Sequence, residues 1–331
     1  MGRSKIIVVG CGVIGLTTAI RLQQQGHDVS ILARDDPQRT TSRAAGAYWW
    51  PYKVEPLKKV KRWAQASLGI YRLLATIPAS GVRFHQHYRF CAVPEEAHYC
   101  LAMLDEWEEI DGSRFGVDCL QAFRIVLPLI DVTNYLPFLE ALFLSRGGKL
   151  ETREVDSLES LLDEAKVVVN CTGVWAGALT EDPELFPIRG QTVRVRTPAT
   201  LPGSVRFVDT GENQILILPR AEDCILGGTA IDGEWSLKPD EATSDRIVEA
   251  CASIFPELAR AERLGETVGL RPGRSEVRLE LERHDGGAIV HHYGHGGAGF
   301  TIAWGCADDL CVMVDAFLLG CSSHQQEKKG I

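Results

Sequence analysis

A short run of β-branched residues, Ile6–Val9, ends on the glycine pattern Gly10-Cys11-Gly12-Val13-Ile14-Gly15, and a helical stretch, Thr17–Gln25, follows at once and closes at Gly26. No other feature constrains the fold as tightly. A second β run at His27–Ala33 completes a β-α-β unit of about 30 residues and predicts a parallel sheet of the nucleotide-binding kind. Gly10 permits the tight turn, Gly12 lets the backbone approach a pyrophosphate, and Gly15 lets helix and strand pack closely. The helix N-terminus then presents N–H groups and partial positive charge to a diphosphate. Asp35 stands 20 residues beyond Gly15, the interval at which a carboxylate accepts a hydrogen bond from an adenosine ribose.

The rest of the chain predicts that this domain is interrupted. A third buried strand, KVVVNCTG, comes only at Lys166–Gly173, and Ile289–Cys306 is dense in glycine and histidine before an apolar helix that runs through Leu319. Between them, Val193–Val208 and Gln214–Gly228 read as strands with turn residues, and Thr243–Ile254 reads as a helix. The expected fold class is α/β, a Rossmann-like dinucleotide-binding domain with a second, substrate domain on a mainly antiparallel sheet. Residues 1–52, 140–185 and 265–322 are assigned to the first, 53–139 and 186–264 to the second, and 323–331 to a flexible tail.

A net charge of -9 with acidic and basic residues interleaved leaves no basic stripe for a phosphate backbone, so nucleic acid is not an expected partner. No apolar run approaches the roughly 20 residues of a membrane span. The ten cysteines include no CxxC pair and read as buried reduced thiols. The terminal Lys328-Lys329-Gly330-Ile331 is not a Ser-Lys-Leu peroxisomal address, so the expected location is the cytosol.

A second glycine loop, His295-Gly296-Gly297-Ala298-Gly299-Phe300-Thr301, again suggests backbone lying against a flat or anionic ligand. Two such loops suit a long cofactor. The segments GCGVIGLTTAIRL, TTSRAAGAYWWPY, VVVNCTGVWAG, PIRGQTVRV, ILGGT, GLRPGR and HHYGHGGAGFTIAWGCA occur in this order over residues 10–307. Together they resemble the signature segments of the D-amino-acid oxidase and D-aspartate oxidase family.

That resemblance implies non-covalent FAD lying extended across the first domain. It places Val13 and Ile14 at the adenine end, Arg34 and Asp35 at the AMP portion, and Thr41, Ser42, Gly46, Ala47 and Tyr48 at the diphosphate and flavin. Val155 and Thr172 complete the adenosine side, and Gly296, Gly297, Ala298, Gly299, Phe300 and Thr301 run along the ring, with Thr301 near its O2 edge. Arg271 matches the arginine that forks onto the substrate carboxylate, and Gly297 offers a carbonyl to the substrate amine. The implied reaction takes a hydride from the substrate Cα, releases an imino acid that hydrolyses, and yields hydrogen peroxide. Positioning carries this chemistry, so no side chain is assigned as acid or base.

The sequence departs from the family at the substrate end. Leu216 stands where a tyrosine hydroxyl normally joins the arginine, and Glu212 where a lid tyrosine stands in animal members. Ala230 occupies the place of the extra arginine of D-aspartate oxidases. With Trp50 and Leu216 as an apolar wall, neutral or apolar side chains are expected and an acidic one lacks a partner. His291, His292 and His295 lie close together, but a strand running into a glycine loop offers no cage, so no metal is expected. The expected partners are an amino acid and oxygen, with a homodimer allowed. A specialised or glycine-type oxidase fits the same fold. The first glycine motif alone fits a NAD-dependent dehydrogenase, and Leu216 fits a flavin-binding protein that has lost turnover.

Overall fold

The computed structural model describes residues 3–92, 96–117, 119–209, 214–220 and 223–327. It opens with β1 (Lys5–Val9), α1 (Val13–Gln24) and β2 (Asp28–Ala33). The helix starts directly on the glycine loop, four residues earlier than its amphipathic pattern indicates. β3 (Ala47–Tyr48) and α2 (Leu57–Leu74) follow. α2 buries Val60, Trp63, Ala64, Ser67, Leu68 and Tyr71, the spacing of a single apolar face. Then come β4 (Val82–Cys91), β5 (Trp107–Glu109), β6 (Gln121–Ile130) and α3 (Val132–Ser145), the last capped by Asp131, which accepts from the Thr133 amide at 3.0 Å.

β7 (Lys149–Thr152), β8 (Val167–Asn170) and the short α4 (Ala176–Thr180) return the chain to the first layer. β9 (Phe186–Arg196), β10 (Val205–Asp209), β11 (Gln214–Pro219), β12 (Asp223–Gly227) and β13 (Ile231–Asp232) build the second. The chain ends with α5 (Glu241–Ile254), β14 (Arg263–Gly273), β15 (Arg278–His284), β16 (Gly287–Tyr293) and α6 (Gly299–Glu327).

Two sheets organise these elements. The first has the order β15-β16-β8-β1-β2-β7, parallel from β16 to β7 with β15 antiparallel at its edge. Ile6, Ile7, Val8 and Val9 are buried in it, as expected of a parallel strand covered on both faces. The second runs β13-β9-β12-β11-β10-β4-β6-β3, with β14 paired to β9 and β5 to β6. It is antiparallel except where β10 lies parallel to β4. The expected boundary at residue 265 falls inside β14, whose pairing with β9 extends from Arg263 to Gly273. α2 packs, like α1, on α6, so residues 57–74 cover the first layer although they were assigned to the second domain. The expected tail is corrected in part: α6 continues through residues 323–327, and 328–331 lie outside the described residues. Among the described residues no helix is long and apolar enough to cross a membrane.

Candidate active site and cofactor cavity

β1 is flanked by β2 on one side and β8 on the other, so the chain leaves its carboxyl end at a topological switch point, where open α/β sheets bind ligands. Gly10 turns there with φ +106°. A Cβ on Gly10 would stand 2.5 Å from the Cys171 carbonyl oxygen, and one on Gly15 would overlap the carbonyl oxygen of Gly10. The glycines are therefore dictated by backbone packing as well as by the ligand. The Val13 amide donates to Ser42 Oγ at 2.9 Å, and no acidic residue stands in the first turn of α1, so its positive end stays open to an anion. Gly15→Val is expected to yield protein without visible flavin absorbance, which a spectrum of the purified variant checks. A variant that stays yellow removes the packing argument.

From this turn a cavity of about 770 Å³ extends between the two sheets. Most residues singled out in the sequence line it: Gly10, Gly12, Val13, Ile14, Arg34, Asp35, Thr41, Ser42, Gly46, Ala47, Tyr48, Val155, Thr172, Gly296, Gly297, Gly299 and Phe300, with Arg271, Leu216 and Trp50. Gly15, Ala298 and Thr301 stand behind the lining. Thr301 donates to the Trp50 carbonyl at 2.9 Å and accepts from the Trp50 amide at 3.1 Å. Its hydroxyl thus fastens the start of α6 to the segment after β3. Glu212 lies outside the described residues.

Arg271 projects from β14, and its Nη1 donates to the Thr229 carbonyl at 3.1 Å. A Cβ on Gly190, in the adjacent strand β9, would meet the guanidinium at 2.5 Å, so the absence of a side chain at 190 is what lets Arg271 lie across the sheet. Loss of water around it pushes its pKa below the ordinary value, with Tyr52 and Tyr48 opposing, and the guanidinium stays charged.

Sequence reasoning missed several residues that the fold brings to the cavity, among them Gly190, Tyr52, Phe207 and Arg89. Arg89 is one of five arginines in the lining, with Arg34, Arg39, Arg153 and Arg271. The histidines correct one argument. His292, His295 and Cys306 form a buried group whose ligand atoms lie within 4.8 Å of one another, so a cage of sorts exists. Its span exceeds the about 3.5 Å between donors around a tetrahedral zinc. Burial pushes the Cys306 thiol well above its ordinary value, holds His292 well below its own, and takes His295 down to about 3. These are neutral packed groups, and Thr18 Oγ1 meets His292 Nδ1 at 3.1 Å.

A Rossmann-type sheet whose glycine turn and second glycine loop face one long cavity, with a buried arginine at a second sheet, defines a dinucleotide-binding oxidoreductase. A model of the family described as FAD dependent oxidoreductase matches residues 5–312, and the chain belongs to that family. It is 42% identical over 321 residues to a D-amino-acid oxidase of Rubrobacter xylanophilus, covering 95% of this chain and 97% of the relative. It is 41% identical over 309 residues to a D-amino-acid oxidase of Streptomyces coelicolor, covering 92% and 95%. Among solved structures, glycine oxidase from Geobacillus kaustophilus superposes with a TM-score of 0.76 at 19% identity, covering 95% of both chains, which establishes the shared fold.

Proposed function

We propose that this protein oxidatively deaminates D-amino acids, and the observation that carries the reading is Arg271 in the wall of the cofactor cavity. The cavity fits FAD. Gly10 and Gly12 line it where α1 begins, the first turn of α1 carries no carboxylate to compete with a diphosphate, and Gly296 and Gly297 give the far loop a surface without side chains. Gly10, Gly12, Val13, Arg34, Asp35 and Ser42 would hold the adenosine diphosphate half, and Tyr48 with the Gly296–Phe300 loop the flavin half. FAD bound there would supply the two-electron acceptor for the substrate Cα–H, with oxygen as the final acceptor and hydrogen peroxide as product.

The protein's own contribution is placement. Arg271 holds the α-carboxylate with a planar fork of donors. The Gly297 carbonyl accepts from the substrate ammonium. With those two groups fixed, the third substituent of Cα would fall toward Trp50 and Leu216, so that only one enantiomer would present its Cα hydrogen to the cofactor. No general base is assigned, since losing an ammonium proton to water suffices to expose the amine. The cytosol is the location that accompanies this reading. Cys11, Cys171, Cys224, Cys251, Cys306 and Cys311 are free thiols, which suits a reducing compartment.

The test is anaerobic addition of D- and L-amino acids to the purified yellow protein, followed by air and a peroxide assay. Bleaching by D-amino acids, with peroxide on reoxidation, is the expected result. Bleaching by L-amino acids alone, or by none of either series, would sink the reading.

A further inference from the structure

Between β13 and α5 the chain makes a loop, residues 233–240, whose residues are all exposed but whose main chain is pinned from beneath. Arg189 of β9 is 4% exposed, and its Nε and Nη2 donate to the carbonyls of Ser236 and Lys238, both at 2.8 Å. Gln191, fully buried on the same strand, donates to the Asp240 carbonyl at 2.7 Å and accepts from the Asp240 amide at 3.0 Å. Two buried side chains thus fix the path of an exposed loop.

The loop carries two large apolar groups, Trp235 and Leu237, 49% and 53% exposed. The Trp235 ring lies 5.7 Å from that of Trp175, centroid to centroid. Trp175 belongs to the other layer: it follows β8, lines the cavity, and has the Arg34 guanidinium 5.0 Å from its ring centroid. Leu237 lines the same cavity. Arg34 and Asp35 directly follow β2, and a carboxylate after the second strand of such a sheet is where an adenosine ribose is met. The contact between the two tryptophans therefore stands at the adenosine end, and large apolar groups gathered at a cavity rim mark a binding surface.

We propose that Trp235 and Leu237, seated on Trp175, form a clasp that closes over the adenosine end of bound FAD and sets how slowly the cofactor leaves. The inference rests on the FAD reading of the cavity and adds residues of the second layer to its cofactor site. Side chains alternate between the faces of a strand, so β9 serves both ligands: Gly190 makes room for Arg271 on one face, and Arg189 and Gln191 pin the clasp from the other.

The test dilutes the FAD-loaded protein and follows the return of free-flavin fluorescence, which reads cofactor release without any turnover. Trp235→Ala is expected to speed release about 10-fold, and Trp235→Phe to recover most of the native rate. Leu237→Ser is expected to act in the same direction. The visible spectrum of flavin still bound stays native, because the clasp holds the other half of the cofactor. Unchanged release in both Trp235→Ala and Leu237→Ser overturns the proposal. Faster release that only follows a lower urea midpoint of the FAD-free chain shows that the loop supports the fold, and this too overturns it. If the variants fail to fold, the native protein decides: hydrogen exchange at amides 233–240 is expected to slow when FAD is loaded, and equal exchange with and without FAD overturns the clasp. Native protein that takes up no FAD removes instead the reading of the cavity on which the proposal stands.

Discussion

Replacing Arg271 with leucine is expected to lower kcat/KM for every D-amino acid substrate by on the order of 10² to 10⁴. Truncating one partner of a buried, hydrogen-bonded charge pair costs about 3 to 5 kcal/mol, because the other charge is left in a poor solvent. Here that charge is the substrate α-carboxylate, and Leu216, which also lines the cavity, offers no hydroxyl to share the load. The loss is expected in both kcat and KM, since an unheld carboxylate also frees Cα to rotate away from its productive pose. Arg271→Lys keeps a positive charge but loses the planar fork, and lies between the two. The flavin absorbance of both variants stays at the native level, because Arg271 contacts the Thr229 carbonyl and the Gly190 backbone, away from the α1 turn. Steady-state kinetics with a flavin spectrum of each variant provide the check. An Arg271→Leu enzyme within threefold of native would remove Arg271 from the substrate site.

The residues that were legible in the sequence are those whose role is set by backbone geometry. Gly10 and Gly15 can be read because a tight strand-to-helix turn admits nothing larger, and the turn is local in sequence. Arg271 was legible only through the GLRPGR segment and its family resemblance, as nothing in a lone arginine distinguishes a substrate clamp from an ion pair. Arg89 was not legible at all. Its aromatic neighbours Trp50 and Phe207, each with a ring centroid 4.2 Å from the guanidinium carbon, stand 39 residues before it and 118 after it, and the pairings of β3 with β6, β6 with β4 and β4 with β10 assemble them. The one local signal was the alternation His85, His87, Arg89 within a strand of otherwise apolar ends, polar residues on a single face. Thr301 shows the converse. The resemblance places it at the flavin, and what only the fold reveals is that its hydroxyl bonds the main chain of Trp50. α2 and α3 went unread because the glycine motifs drew the boundaries, although the buried face of α2 has plain helical spacing. Domain boundaries drawn from motifs alone also cut β14, since a strand paired with β9 carries the site residue at its far end.

The largest stability effect is expected on mild acidification. His87, His292 and His295 are buried, and burial holds the first two well below their ordinary value of 6.5 and the third at about 3. Their folded pKa values lie beneath the unfolded one, so between pH 6.5 and the folded values the unfolded chain binds protons that the folded chain refuses. Stability is therefore complete above pH 6.5 and is lost as pH falls below it. His295, held at about 3, costs about 2 kcal/mol by pH 5, and His87 and His292 add to the loss in the same direction. Asp308 is held above its ordinary value by burial and opposes the trend, so the net loss is somewhat smaller. Asp182 acts later: burial raises its pKa, but Tyr293 and Arg274 donate to it and hold it lower overall, so its contribution fades only below about 3.8. Urea unfolding of the FAD-loaded protein at pH 7.5 and pH 5, with proton uptake measured by calorimetry in two buffers, is the check. The midpoint is expected to drop steeply, with two to three protons taken up per chain unfolded at pH 5. His292→Gln keeps a hydrogen-bonding partner for Thr18 and is expected to make the midpoint less sensitive to pH. Equal midpoints at the two pH values would mean that these imidazoles are protonated in the fold. Because His292 and His295 also line the cofactor cavity, the same protonation that unfolds the chain begins at the wall of the flavin site, and release of FAD is expected to track the loss of stability.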